Sequence, residues 1–205
     1  MDREYQTPLY NREDSIAQGL VVSEIEKQLS NRIAASYFMS DENFENKKEI
    51  METLILIGGS VNNSISRELL KKDVCEGLNF NFDLTKSNRN LTYTDKNGIN
   101  QIKEPKAKEN DIFMDYALIL NIRNPWCTSK RLIAIMGCNG LGTYGAAKYI
   151  HSGKYLENRI KDIIEFDEYA ILISCKGLWK EEKLHLPNDQ IFLEDIIKLQ
   201  TTSKV

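Results

Sequence analysis

Four almost uninterrupted apolar runs stand out along the chain, and each is bounded by glycine or by polar residues. They are Thr53–Ile57, Tyr116–Ile122, Arg131–Met136 and Tyr169–Ser174. A strand that is exposed on one face alternates between apolar and polar residues, whereas a strand that is covered on both faces shows a continuous run. The pattern therefore predicts four buried strands.

Segments with helical spacing of apolar residues occur before the first of these runs and between the runs. They are Asn11–Leu29, a short helix around Ile65 to Leu70, Ala146–Ile150, and Leu156–Ile164. Strands that alternate with helices are typical of a parallel sheet with helices on both faces. We therefore expect an α/β fold, a Rossmann-like three-layer sandwich with a mainly parallel sheet.

The stretch from Leu78 to Asn110 has a different texture, because short segments there alternate between apolar and polar residues. Asp95–Gly98 contains the Asn-Gly pair that favours a tight β-hairpin turn. We interpret residues 84–110 as an inserted β-hairpin. The length of 205 residues favours a single domain, 1–205, that carries this insertion.

A glycine-rich turn follows the third apolar run and precedes a helix. Gly140, Gly142 and Gly145 match the pattern G-x-G-x-x-G. In this context glycines let backbone N–H groups approach a phosphate, and the helix N-terminus adds partial positive charge. The alternative is a tight turn with no ligand. The candidate ligand-binding residues in this turn are Asn139, Gly140, Leu141, Gly142 and Thr143.

A second glycine turn follows the first apolar run and also precedes a helix. In a parallel sheet the carboxyl ends of the strands share one edge, so both turns are expected to line one crevice. The short polar side chains here suit ribose or phosphate, although helix capping is their alternative role. The candidates in this turn are Gly58, Gly59, Ser60, Asn62 and Asn63.

Two further candidates follow the second apolar run. Arg123 could bind a phosphate through two hydrogen bonds, and Trp126 could stack on a base. The alternative is a surface salt bridge and an anchored loop.

The loop from Gly140 to Ala146 resembles the G-x-G-T loop of a nucleotide-binding Rossmann-like superfamily. That superfamily includes the Lonely Guy phosphoribohydrolases, DNA-processing proteins and sensor domains of bacterial defence systems. The blocks around residues 53–72 and 115–150 are also similar to an uncharacterised Rossmann-like domain of some prokaryotic proteins, including S-layer-like ones. The resemblance implies a nucleotide-binding domain in a signalling system. It does not extend to the phosphoribohydrolase glutamate, because Ala146 stands at that position.

Composition and charge narrow the classes of function. The 27 basic and 30 acidic residues give a net charge of −3, which argues against binding of a long nucleic acid. The N-terminal residues lack a signal-peptide pattern, and no apolar run is long enough to cross a membrane. The four cysteines have no metal-ligand spacing, so we expect reduced thiols, no metal site and a cytoplasmic location. A homo-oligomer is a possible assembly.

These observations favour one function and leave two alternatives open. The leading hypothesis is the binding of a nucleotide or a nucleotide-derived small molecule by a sensor or signalling domain. The first alternative is an enzyme that hydrolyses an N-glycosidic bond in a nucleotide or NAD-like substrate. It would use a carboxylate such as Glu68, Asp115, Glu165 or Glu168. The second is a non-catalytic protein-interaction module. No cofactor is identified by the sequence.

Overall fold

The computed structural model describes residues 51–60, 63–71, 80–82, 89–95, 97–109, 112–152, 168–180 and 183–199. Its α-helices are α1 (Ser64–Leu69) and α2 (Gly140–His151). The first strands are β1 (Leu54–Ile57), β2 (Phe80–Phe82), β3 (Leu91–Thr94), β4 (Asn100–Lys103) and β5 (Lys106–Glu109). The remaining strands are β6 (Ile112–Asn124), β7 (Cys127–Gly137), β8 (Tyr169–Lys180), β9 (Lys183–His185) and β10 (Ile191–Lys198).

Seven of these strands form one mixed sheet. Its central order is β1-β7-β6-β8-β10, with β5 paired to β6 and β9 paired to β8. The β1–β7 pair is parallel, and the other pairs of this sheet are antiparallel. The expectation of a Rossmann-like sandwich with a mainly parallel sheet is therefore wrong. In its described part the protein is mostly strand, with two α-helices.

The link between β6 and β7 explains this difference. Only Pro125 and Trp126 separate the two strands, and the side chain of Asn124 holds the turn by accepting a hydrogen bond from the Trp126 N–H at 2.9 Å. A parallel pair needs a crossover of a dozen or more residues, so this link permits only antiparallel pairing. The sequence already indicated antiparallel pairing, because just eight residues separate the second and third apolar runs.

Each of the four apolar runs forms a strand. Strands β6, β7 and β8 are longer than the runs that predicted them, whereas β1 begins one residue later than its run. The helix after the glycine turn begins at Gly140 rather than at Ala146. The predicted helices at Asn11–Leu29 and Leu156–Ile164 lie outside the described residues. Within the described ranges, no helix has the length and apolar character needed to cross a membrane.

The two faces of the seven-stranded sheet bury separate apolar cores. Helix α2 covers one face, where it packs on side chains of β6, β7 and β8. Alternate residues of the same strands point to the other face, which is covered by α1 and by a three-stranded antiparallel sheet of order β2-β3-β4. Strands at the centre are therefore buried on both sides, which is why their sequences are continuously apolar.

The three-stranded sheet contributes aromatic and aliphatic side chains to the second core. Phe80 stacks with Tyr93 at a ring-centroid distance of 6.0 Å, and Leu91 is fully buried. The β3–β4 turn is held by Asp95, whose carboxylate accepts hydrogen bonds from the N–H groups of Asn97 and Ile99. The limits of the insertion, 84–110, and of the single domain stay predictions.

The burial of Leu91 makes a stability test of this architecture. We expect Leu91→Ala to lower the free energy of unfolding by about 2–5 kcal/mol, since it removes buried methyl groups from the second core. Ile102→Ala on the neighbouring strand is the control, because Ile102 is 61% exposed and its loss should cost at most about 0.5 kcal/mol. Urea unfolding of the two variants checks this. Equal costs would contradict the packing of this sheet on the core.

Candidate functional site

The two glycine turns lie side by side at the carboxyl ends of the neighbouring strands β1 and β7. We call this border of the large sheet the edge. Strands β1 and β7 are parallel neighbours, and the Gly58 N–H continues their pairing by donating to the Ile135 carbonyl at 2.9 Å. A Cβ atom built on Gly59 would lie 2.8 Å from the Gly137 carbonyl oxygen. Because real Cβ contacts are longer than this, glycine at position 59 allows the two turns to pack directly against each other.

The helices that follow these two strands lie on opposite faces of the sheet. Ile65 and Leu69 of α1 pack in the core with β2 and β3, whereas Ala146 and Ala147 of α2 pack in the other core. Two adjacent parallel strands whose connections leave in opposite directions define a topological switch point. In the described part of the chain, the parallel pair β1 and β7 therefore forms a topological switch point.

The first turn uses its polar groups to begin α1. Asn63 is the N-cap residue, and its side-chain oxygen accepts a hydrogen bond from the Ser66 N–H at 2.9 Å. Gly58 has φ +107°, a conformation that favours glycine, and its carbonyl accepts from the Ser66 hydroxyl at 3.0 Å. Ser60 is buried, and its carbonyl accepts from Arg67. Asn62, the remaining candidate of this turn, lies outside the described residues.

The start of α2 is occupied by a side chain of the protein itself. One carboxylate oxygen of Asp115, on β6, accepts from the N–H groups of Gly142 at 2.7 Å and Asn139 at 3.1 Å. The other oxygen accepts from the Tyr116 N–H at 2.9 Å and from the Asn139 side-chain amide at 3.3 Å. The N–H groups that were predicted to meet a phosphate are therefore partly used by an internal carboxylate.

The glycines of this loop permit close packing of α2 on the sheet. A Cβ on Gly142 would lie 2.4 Å from the Tyr116 carbonyl oxygen, and a Cβ on Gly145 would lie 2.9 Å from Cys175 Sγ. A Cβ on Gly137 would lie 2.2 Å from the Thr143 backbone nitrogen. Each position thus excludes a side chain through the protein's own atoms.

The other candidates of this loop are also placed by internal contacts. The Thr143 hydroxyl is buried and accepts from the Gly137 N–H at 3.2 Å. Leu141 is buried, with its carbonyl 3.5 Å from Cys175 Sγ, and Gly140 is buried as the first helical residue. Asn139 is only partly buried, so it is the polar side chain of this turn that solvent reaches.

Burial governs the protonation of the groups around Asp115. Burial raises the pKa of Asp115 to about 7, against the lowering effect of the hydrogen bonds from Tyr116, Gly142 and Asn139. Burial also raises the pKa values of the Cys138 and Cys175 thiols, so neither is an activated nucleophile.

Arg123 and Trp126 lie far from the glycine turns. Arg123 is paired across the strands with Arg131, and with a rise of about 3.3 Å per residue β7 carries the chain about 20 Å from Arg131 to Gly137. Trp126 is partly buried against the second core. The structure therefore brings the two turns together but not these two residues, because β6 runs antiparallel to β7.

The described carboxylates that were considered for an N-glycosidic hydrolase do not form an exposed group at this edge. Asp115 is 2% exposed and accepts hydrogen bonds through both oxygens, and Glu68 lies on the exposed side of α1. Glu168 is buried at the other end of the sheet, where it accepts from the Arg123 N–H, and Glu165 is outside the described residues. Within the described part of the chain, no three His, Cys, Asp or Glu side chains are grouped to hold a metal ion.

Sequence reasoning missed the role of Asp115 in this site, although a signal was present. Helix α2 has no acidic residue in its first turn, and its N-cap residue Asn139 makes no capping hydrogen bond. Such a helix start needs an acceptor from elsewhere in the chain. Asp115 immediately precedes the second apolar run, Tyr116–Ile122, which places a carboxylate at the end of a predicted strand.

Comparisons with protein-family models, with curated proteins and with solved structures find no match to this chain. The resemblance of the glycine loop to the nucleotide-binding superfamily stays a prediction.

The raised pKa of Asp115 predicts a pH-dependent stability. The carboxyl binds its proton more tightly in the folded state, with a pKa of about 7, than in the unfolded chain, where the pKa is about 3.9. Its contribution to stability is therefore complete below pH 4 and is lost as the pH rises to 7, by at most about 4 kcal/mol. Asp115→Asn removes this contribution, so the difference between the two unfolding free energies should shift over this range. Parallel pH profiles from urea unfolding would contradict the assignment.

The close approach at Gly142 predicts an effect opposite to helix propensity. Glycine to alanine inside a helix ordinarily stabilises by about 1 kcal/mol. Gly142→Ala should instead destabilise by about 1–3 kcal/mol, because the new Cβ forces α2 away from β6. Thermal unfolding, with chemical denaturation as a second measure, shows whether Gly142→Ala raises or lowers the stability. A more stable variant would show that α2 has room to move.

Proposed function

We propose that this protein binds a nucleotide-derived small molecule at the edge formed by the two glycine turns, in the role of a sensor or signalling domain. The observation that carries the proposal is the switch point between β1 and β7, where α1 and α2 leave on opposite faces. Crevices at such points are the usual ligand sites of sheets that contain parallel strands flanked by helices.

The chemistry of the edge supports a polar ligand. Asn63 in the first turn and Asn139 in the second are both partly exposed and carry amide groups. Amides can donate and accept hydrogen bonds, which suits the edge of a base or the hydroxyl groups of a ribose. Because Arg123 and Trp126 lie at the opposite end of the sheet, the proposed site contains neither of them.

The second candidate function is the protein-interaction module. Gly137, Gly142 and Gly145 each face protein atoms at distances that exclude a side chain, so their presence is explained by packing without a ligand. Under this alternative the edge binds no small molecule.

The two candidates are separated by direct binding measurements. Native mass spectrometry of the freshly purified protein should show an added mass that is lost on denaturation, and calorimetric titration with a panel of nucleosides and nucleotides should identify its class. Asn139→Ala should weaken the binding of the identified compound about fivefold, which corresponds to one hydrogen bond of about 1 kcal/mol.

The matched control is Arg123→Ala, which changes an exposed side chain at the other end of the sheet. It should bind as tightly as the unchanged protein. Absence of a retained mass, together with no heat of binding across the panel, would refute the small-molecule proposal in favour of the interaction module. Loss of binding in Arg123→Ala alone would place the site elsewhere.

A further inference from the structure

The chain contains two Asn-Gly pairs in very different surroundings. Asn97-Gly98 lies in the turn between β3 and β4, and Asn139-Gly140 lies at the start of α2. An Asn-Gly pair is chemically labile, because a glycine nitrogen can attack the side-chain carbonyl of the preceding asparagine without hindrance from a Cβ atom. The two pairs have the same local chemistry, so their surroundings determine which of them reacts.

We infer that Asn97 is a site of spontaneous deamidation and that the fold protects Asn139 from the same reaction. In the first step the Gly98 nitrogen loses its proton and attacks Cγ of Asn97, and the side-chain amide nitrogen leaves as ammonia. The product is a cyclic succinimide. Water then opens this ring at either carbonyl, which gives aspartate or isoaspartate. The reaction therefore consumes water and releases ammonia, and it needs no other reactant.

The turn at Asn97 leaves the reacting groups accessible. Asn97 and Gly98 are both exposed, and a Cβ atom built on Gly98 would have no atom within 4 Å. The Asn97 N–H donates to the Asp95 carboxylate, whereas the Asn97 side-chain amide forms no hydrogen bond with the described residues. The Gly98 N–H donates to the Asp95 carbonyl at 2.9 Å. This exposed hydrogen bond must open before the attack.

At Asn139 the same attack would have to disrupt the start of α2. The Asn139 side-chain amide donates to Asp115 Oδ1 at 3.3 Å, and its backbone N–H donates to Oδ2 at 3.1 Å. The Asn139 carbonyl accepts from the Thr143 N–H at 3.2 Å, and Gly140 is buried. Both the amide and the following peptide group are therefore held in place. Asn139 belongs to the proposed ligand site, but the inference does not depend on that site.

Deamidation of Asn97 would weaken the turn in which it occurs. Asp95 Oδ1 accepts from the N–H groups of Asn97 and Ile99, and Oδ2 accepts from the Gln101 side-chain amide at 3.0 Å. A new carboxylate beside Asp95 repels the charge that forms these bonds, and isoaspartate also adds a methylene group to the backbone. Because the β3–β4 hairpin covers the second core, the modified protein should be less stable than the unmodified one.

Incubation of the full chain at mildly alkaline pH, followed by peptide mapping with mass spectrometry, tests the inference. Deamidation replaces NH2 by OH and so raises the mass of the affected peptide, and enzymatic methylation identifies isoaspartate. In the folded protein the peptide with Asn97 should be converted progressively, whereas the peptide with Asn139 should stay unmodified. In guanidinium chloride both peptides should react, because unfolding removes the contacts that hold Asn139.

Asn97→Gln is the matched control for the effect on stability. It keeps an exposed amide at this position, but the longer side chain closes a ring far more slowly. The melting temperature of the unchanged protein should fall during the incubation as Asn97 is converted, whereas that of Asn97→Gln should stay constant.

The possible outcomes separate the site from its effect. A folded protein in which Asn97 stays intact, or in which Asn139 reacts as fast as Asn97, overturns the inferred site. An equal fall in the melting temperatures of the unchanged protein and Asn97→Gln, or no fall after Asn97 has been converted, overturns the effect on the hairpin. Conversion confined to Asn97, with a fall in melting temperature that Asn97→Gln lacks, supports both.

Discussion

The clamp that Asp115 forms on the start of α2 joins three parts of the molecule. Its carboxylate lies on β6, accepts from the turn that follows β7, and accepts from the first turn of the helix. A buried carboxyl is costly unless it is hydrogen-bonded, so these contacts offset the cost of burying Asp115. The interaction joins the start of α2 to β6 at the point where Gly142 approaches the Tyr116 carbonyl.

The antiparallel hairpin of β6 and β7 is the second constraint on the architecture. It places the ends of β6 and β7 so that Asp115 is near Gly142, while Arg123 lies near Arg131 at the far end of the sheet. The parallel pairing of β1 with β7 then creates a single edge with two glycine turns. The β6–β7 hairpin therefore explains why the candidate site contains Asp115 and lacks Arg123.

The glycine loop shows how one sequence pattern serves different physical purposes. Glycine is required at position 142 because the Tyr116 carbonyl occupies the space of a side chain, and at position 59 because the Gly137 carbonyl does so. A phosphate-binding loop also requires glycine for close approach, but to a ligand instead of to the protein's own backbone. The residue pattern is the same in both cases, so only the identity of the neighbouring atoms distinguishes them.

The sequence by itself determined the four buried strands, the hairpin turn near Gly98 and the helix after the glycine loop, because continuous apolar runs and turn residues are local signals. It also placed the two glycine turns at strand ends. The short distance between Gly59 and Gly137 agrees with the expectation that the two turns are neighbours. The short link between the second and third apolar runs already indicated the antiparallel direction of β6 and β7, and with it the separation of Arg123 from the turns. The parallel pairing of β1 with β7 and the use of Asp115 as the acceptor for α2 were decided only by the tertiary structure. The physical reason is that these features depend on which strands are neighbours, and pairing between residues 115 and 142 or between 54 and 132 leaves no trace in the local pattern of either segment.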